Sequence, residues 1–234
     1  MNALSGELGT LMERIEQNGW VDVLAIIEGD ILDRIIEETR TDSDDRGGMR
    51  DLLSRSPESR RLARHPAVRQ IAEAVLGLDC FVTRAILFDK TEQANWKVAW
   101  HQDVTIAVRE QRDVPGYGPW SLKAEIVHVQ PPREVLERML AVRIHLDDCD
   151  QSNGPVRVLP GSHRSGKLPA DEIATWKQRE AAVDCLVPRG GMLVFRPLLL
   201  HASSQASDPR HRRVVHFEFA TGDLPGGLEW HTRI

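Results

Sequence analysis

Three residues of this chain have the types and spacing to hold a metal ion, and a fourth can anchor an anion beside it. The first two stand in Trp100-His101-Gln102-Asp103-Val104-Thr105-Ile106-Ala107-Val108, which runs into apolar, β-prone sequence. Residues i and i+2 of a strand point to the same face. If 100–108 is one strand, the His101 imidazole and the Asp103 carboxylate leave it side by side. One more imidazole completes a facial set of two histidines and one carboxylate, which suits non-haem Fe(II) and leaves coordination positions open. His201, at the end of the apolar run Leu198-Leu199-Leu200, is the candidate. Taken singly these residues have plain alternatives: His101 hydrogen-bonded to Asp103 in a core, and His201 as a packed structural histidine.

Arg212 follows His201 by eleven residues and opens the run Arg212-Arg213-Val214-Val215-His216-Phe217-Glu218-Phe219. A buried guanidinium needs an anionic partner, and its planar fork matches a carboxylate bidentately. Strand alternation puts Arg212, Val214, His216 and Glu218 on one face and Arg213, Val215, Phe217 and Phe219 on the other. The second face is apolar and suits packing on helices. The first is mixed, as a ligand-lined interior would be, so Arg212 is preferred over Arg213 as the anion anchor.

The elements that must position these residues fall into two textures. Residues 3–17 carry Leu4, Leu8, Leu11, Met12 and Ile15 at helical spacing, with Gly19 as a stop; 20–27 starts extended. Further helices are expected at about 29–39 and 66–76, the latter opened by Pro66 and ended near Gly77, with a polar loop at 41–48 between them. From Cys80 onward short β-rich runs dominate: 80–90, 100–108, about 123–129, 139–147, 155–159, 182–187, 191–196 and 212–220. Short helices interrupt at about 132–138 and 169–179. Many short strands with Pro/Gly turns indicate a sandwich or barrel. The turn signals include Asn153-Gly154, Gly190-Gly191 and Pro160-Gly161-Ser162-His163. The reading is one domain over 1–234, mainly β with flanking α-helices, with 1–78 a mostly helical cover and 79–221 the β core.

At 234 residues the chain has room for one sizeable core. A hydrophobic content of 41% and a charged content of 28% fit a globular protein. The net charge of −5 gives no global pull toward nucleic acid or anionic membrane, and the basic cluster Arg210-His211-Arg212-Arg213 is short and lacks interleaved aromatics. No apolar run reaches the roughly 20 residues a membrane helix needs, and no signal peptide is visible. Cys80, Cys149 and Cys185 are odd in number and far apart, which argues against a disulfide framework. A cytoplasmic protein acting on a small molecule is expected.

With these residues in view, the chain resembles the phytanoyl-CoA dioxygenase family of Fe(II)/2-oxoglutarate-dependent oxygenases. The stretches that carry the likeness are 86–90 (Ile-Leu-Phe-Asp-Lys), 95–103 (Asn-Trp-Lys-Val-Ala-Trp-His-Gln-Asp), 153–163 (Asn-Gly-Pro-Val-Arg-Val-Leu-Pro-Gly-Ser-His) and His201 through Arg212. The Glu-Gln-Asn-Gly-Trp segment at 16–20 is similar to the family's opening helix-then-strand. The resemblance implies a double-stranded β-helix, a jelly-roll or cupin-like barrel. It implies Fe(II) on His101, Asp103 and His201, with 2-oxoglutarate and molecular oxygen as co-substrates. Arg212 would pair with the distal carboxylate of 2-oxoglutarate, Ser203 would also contact it, and Ile86 would line that site. Because Asp103 is a carboxylate where halogenating relatives carry a small residue, hydroxylation is expected over halogenation. Desaturation and ring closure stay open, since they depend on substrate placement.

Arg143 departs from the family, which often places an aromatic there. It contacts 2-oxoglutarate, faces substrate, or pairs with Asp147. Lys90 alternates with Ile86 and Phe88, and either reaches the pocket or is a solvated strand end. Both are carried forward as candidate substrate residues, and they point to an anionic substrate. His163 reads as structural, and His145 as a group behind the site or a simple face residue. Trp96, Trp100 and Trp120 read first as core. The Gly/Pro-rich stretch 109–121 is either a lid or a surface loop anchored by Trp120. Two other functions share the barrel: a cupin-like metalloenzyme without 2-oxoglutarate, and a non-catalytic small-molecule binder.

Overall fold

The computed structural model describes residues 2–24, 26–40 and 48–234, with side chains from residue 8 onward. The loop expected at 41–48 therefore lies almost wholly outside the described residues, as does the side chain of Leu4. In chain order the elements are α1 (Asn2–Asn18), β1 (Trp20–Val23), α2 (Gly29–Glu38), α3 (Leu52–Arg55), α4 (Pro57–Ala63), α5 (Pro66–Leu76), β2 (Phe81–Lys90), β3 (Val98–His101), β4 (Ile106–Val108), β5 (Trp120–Lys123), β6 (Ile126–Val129), α6 (Arg133–Glu137), β7 (Met139–His145), β8 (Val156–Val158), α7 (Ala170–Arg179), β9 (Val183–Cys185), β10 (Met192–Phe195), β11 (His201–Ser203) and β12 (Arg212–Ala220).

Local chemistry accounts for the boundaries. Gly19 takes φ +82 at the turn from α1 into β1, and a Cβ there would sit 2.5 Å from the His163 ring. Ser56 caps α4 by accepting from the Ser59 amide, with Pro57 in the first turn. His65 and Pro66 open α5 in the same way, and Gly77 ends it at φ +92. The short helices α3 and α4 lie in a stretch for which the sequence predicted no element.

Three antiparallel sheets result. The largest has the order β1-β10-β7-β12-β2, the second β3-β11-β8-β9, and the third β4-β6-β5. Helices α1, α2, α4 and α5 cover the outer face of the five-stranded sheet. Ile15, Ile35, Leu62 and Ile71 share one buried cluster there with Val142, Val194, Val215, Phe217 and Phe219. Strand alternation thus sends Val215, Phe217 and Phe219 outward, as expected. On the inner face Ala141, Leu193 and Phe195 meet Val156, Val158 and Cys185 of the second sheet. This is the expected jelly roll, mainly β with flanking helices, as two facing sheets. The sheets stay open rather than closing into a barrel by hydrogen bonds. The helical cover also supplies β1, which forms an edge of the largest sheet against β10.

Two strand expectations are corrected. The run 100–108 is broken: β3 ends at His101, 102–105 is irregular, and β4 begins at Ile106. Gln102 turns inward instead, donating to the carbonyls of Gly166 (2.7 Å) and Leu198 (2.6 Å) and accepting from the Leu168 amide (2.8 Å). The run at about 123–129 is a hairpin, with Ala124 and Glu125 at its turn in the left-handed region (φ 50 and 59). Within 109–121, Val114, Tyr117 and Trp120 pack against the cluster under the third sheet.

Candidate metal centre

His201 stands on β11 directly opposite His101 on β3 in the antiparallel register. Asp103 is brought to them by the break in the strand: its amide donates to the Pro197 carbonyl at 2.9 Å while Gln102 tethers the chain beside it. Side-by-side placement of His101 and Asp103 was expected from strand alternation. It arises instead from this tethered turn.

The potential ligand atoms of His101, Asp103 and His201 all lie within 4.8 Å of one another. The Nδ1 of His101 contacts the Ala99 carbonyl at 2.8 Å, and the Nδ1 of His201 contacts the Leu199 carbonyl at 2.9 Å. A proton held there leaves both Nε2 lone pairs free for a metal. The two Nε2 atoms sit 3.7 and 3.6 Å from the Asp103 carboxylate oxygens, beyond hydrogen-bond reach. Neighbouring ligands of an octahedral ion at about 2.1 Å are about 3 Å apart, so a small contraction seats a divalent metal. Burial drives the His201 pKa down to about 4 against the pull of Asp103, which keeps its imidazole neutral. Burial opposes the Asp103 carboxylate too, but His201, His216, His101 and Arg84 outweigh it and hold the pKa at about 2. Neutral imidazoles and an ionised carboxylate are the forms that bind metal.

These three residues line a cavity of about 350 Å³ between the two larger sheets, within the range of small-molecule sites. Ile86, Arg143, Ser203 and Arg212 line it as well. Arg212 is only 2% exposed, and its Nε and Nη1 atoms have no partner among the described residues. Arg213, on the other face, is held by Asp147 at 2.8 and 2.7 Å. That pairing takes Asp147 away from Arg143. Arg143 instead lies over the Phe88 ring and 3.4 Å from the Nδ1 of His216, whose Nε2 is 3.5 Å from Glu218. Burial and then the Arg212 charge lower the Arg143 pKa to about 10, so it stays a cation at neutral pH.

Lys90 is not a solvated strand end: it is 1% exposed and faces Arg212 across β2 and β12. It stands behind Ser203 rather than in the cavity wall, donating to Ser203 Oγ at 2.8 Å and to the Ser204 carbonyl. Ser203 in turn donates to the Gly154 carbonyl at 2.9 Å. Burial, with Arg212 and Arg143 adding, lowers the Lys90 pKa to about 7. His163 is structural, with its Nε2 3.1 Å from the Glu16 carbonyl. His145 is buried, and neither ring nitrogen has a partner among the described residues; burial pushes its pKa well below the ordinary value. Trp96 lines the cavity, whereas Trp100 packs under Arg157 and Trp120 lies in the third-sheet cluster.

Four further charged residues reach the cavity without having been singled out as site residues: Arg50, Arg84, Lys123 and Glu218. Arg84 and Glu218 form a buried ion pair across β2 and β12. Alternation had already put Glu218 on the Arg212 face, which was the available signal for it. Arg50 and Lys123 come from outside the two main sheets, where no periodicity points inward.

Facing antiparallel sheets thus bring a histidine pair, a carboxylate and a buried guanidinium without a carboxylate partner among the described residues to one cavity. The phytanoyl-CoA dioxygenase (PhyH) family pattern matches residues 32–214. The chain belongs to that family. It is 26% identical over 91 residues to human peroxisomal phytanoyl-CoA dioxygenase, a match covering 33% of this chain and 27% of the human protein. The match thus spans about a quarter of that relative's length. Among solved structures, AviO1 from Streptomyces viridochromogenes Tue57 superposes with a TM-score of 0.65 at 21% identity, covering 93% of this chain and 96% of that one. The epimerase SnoN, in complex with Fe3+, alpha ketoglutarate and nogalamycin RO, gives 0.68 at 18% identity, with 95% and 92% covered. EctD from S. alaskensis with 2-oxoglutarate and 5-hydroxyectoine also gives 0.68 at 18%, with 94% and 76% covered. At these identities the structural likenesses speak for the fold. Among the described residues, no helix is long and apolar enough to cross a membrane.

Proposed function

We propose that this protein is an Fe(II)- and 2-oxoglutarate-dependent dioxygenase that hydroxylates a small molecule and converts 2-oxoglutarate to succinate and carbon dioxide. The observation that carries the reading is the conjunction, in one cavity, of the His101/Asp103/His201 set with the buried Arg212 guanidinium, which has the Cys149 thiol beside it but no carboxylate partner among the described residues. An unpaired buried charge costs several kcal/mol, so this position favours an anionic partner strongly. Family membership supports the same kind of reaction, as do the iron and 2-oxoglutarate named for SnoN and EctD.

When bound, the iron with 2-oxoglutarate and oxygen would supply the oxidising chemistry. The chain's own residues do the rest. His101, Asp103 and His201 would hold the ion and leave coordination positions for the co-substrates. Arg212 fixes the distal carboxylate of 2-oxoglutarate, and the wall of Ile86 and Phe88 excludes water around its carbon chain. Lys90 and Ser203 set the polarity behind that carboxylate. The Glu218–His216 pair holds Arg143 toward the same space.

Anaerobic addition of Fe(II) and 2-oxoglutarate should give a visible metal-to-ligand charge-transfer band, and admission of air should give succinate. Folded protein that shows neither would sink the proposal. If the band forms and Arg212→Met leaves the 2-oxoglutarate affinity unchanged, the anchor has been assigned to the wrong residue.

A further inference from the structure

The cavity has two cationic poles, and the proposed co-substrate accounts for one. Arg212 and, behind Ser203, Lys90 form the first, with Arg143 set between the poles opposite His216. Arg50, Arg84 and Lys123 form the second. The poles are held apart by β12: Arg212 begins it, and Arg84 pairs with Glu218 six residues further along. At about 3.3 Å per residue that is roughly 20 Å. A five-carbon diacid that chelates the metal and ends on Arg212 cannot also serve the second pole.

Among the described residues, charge balance at the second pole is incomplete. Asp103 and Glu218 are the carboxylates of the cavity wall. Asp103 faces the two histidines, and Glu218 is taken by Arg84. Arg50 and Lys123 have no carboxylate partner among the described residues. They come from separate parts of the fold, Arg50 just before α3 and Lys123 from the end of β5, and both also line a smaller adjoining cavity with Arg84 and Asp51, whose carboxylate accepts from Ser54. Burial, then Arg84, then Arg50 lower the Lys123 pKa against a smaller pull from Glu218 and Asp103, so these cations lie within electrostatic reach of one another. Arg50 is exposed and Lys123 half-buried, and two separate elements bring them to one opening beside His101 and Asp103.

We propose that the substrate carries an anionic group, a carboxylate or phosphate monoester, which Arg50 and Lys123 hold at the mouth of the cavity while the carbon to be oxidised faces the metal. This rests on the dioxygenase reading and deepens it by naming the substrate class and two residues that select it. Arg84 is already neutralised by Glu218 and serves as the fixed wall between the anion and Asp103.

The test loads the protein anaerobically with Fe(II) and excess 2-oxoglutarate, which fills the first pole. Calorimetry then titrates benzoate, phenyl phosphate and, as an uncharged control of similar size, benzamide. At least one anion should bind ten times more tightly than benzamide, and Arg50→Met and Lys123→Met should each weaken it fivefold or more with thermal unfolding unchanged. Tighter benzoate points to a carboxylate substrate, and tighter phenyl phosphate to a phosphate ester. Equal binding of benzamide, no binding by any probe, or anion affinity indifferent to both substitutions would overturn the inference. Failure of the charge-transfer band overturns the dioxygenase reading instead. The same titration on metal-free Arg212→Met protein, in which the first pole is weakened, then still reads Arg50 and Lys123.

Discussion

Asp103 carries the sharpest prediction at the scale of single residues. It supplies the only carboxylate of the candidate metal set, so Asp103→Ala should abolish the charge-transfer band and weaken Fe(II) binding by at least a hundredfold, read by anaerobic metal titration. Lys90 gives a prediction of a different kind. Its pKa is about 7 because of burial and then the Arg212 and Arg143 charges. A bound carboxylate beside Arg212 favours the ammonium and raises that value, so binding takes up a proton. The sign follows: 2-oxoglutarate affinity is highest below about pH 7, falls by at most tenfold per pH unit above it, and levels off past the raised pKa. Isothermal titration across pH 6.5–9 reads this, and Lys90→Met should flatten the slope. If the slope survives that substitution, another group titrates. The candidate metal set and Arg212 stood out in sequence because their types are rare in apolar strands, and the fold brings them to one cavity. Arg50 and Lys123 did not stand out, because exposed-type cations at loop and hairpin positions are ordinary until the fold brings them together.

The segment between β3 and β4 shows how an element can be misread while the neighbours it brings together are foreseen. The apolar, β-prone run suggested one strand over 100–108, and the i, i+2 rule then gave the right neighbours. The structure breaks that strand because Gln102 serves three backbone groups of 166–168 and 198 better than a ladder would. Nothing local in the sequence shows that a glutamine side chain outcompetes pairing, since its partners lie 64 to 96 residues away. Gln102 is thus a positioning residue for Asp103. Gln102→Ala leaves a buried amide and two carbonyls without their partner, at about 1–3 kcal/mol each where water cannot replace it. We expect a loss of about 2 kcal/mol or more in urea unfolding and a ten- to hundredfold weaker Fe(II) affinity, the range typical for groups that support metal ligands. A merely structural role would lower stability and leave metal affinity of the folded protein untouched. The same long-range logic explains the hairpin at 124–125. Its turn residues are Ala and Glu at positive φ rather than the Asn-Gly type that announces such turns. By contrast β12, α1 and α5 were legible because their periodicity and end signals are local.

Across the whole molecule, the candidate site straddles two sheets that share no ladder. His101 and His201 belong to the second sheet, Arg143 and Arg212 to the five-stranded one. Metal alone would tie β3 to β11 and to the tethered Asp103, within one side of the sandwich. A 2-oxoglutarate molecule held at one end by that metal and at the other by Arg212 would join the two sides. Stabilisation should therefore come in two increments. A ligand that binds only the folded state at a hundred times its Kd contributes about 2.7 kcal/mol. For a chain of 234 residues that is a rise in Tm of about 5–10 °C. Anaerobic Fe(II) should give the first rise and added 2-oxoglutarate a second, both followed by circular dichroism. Arg212→Met should keep the first and lose the second, whereas Asp103→Ala should lose both. A second increment that persists in Arg212→Met would mean that the diacid is held within one sheet, and the bridging role of β12 would have to be abandoned.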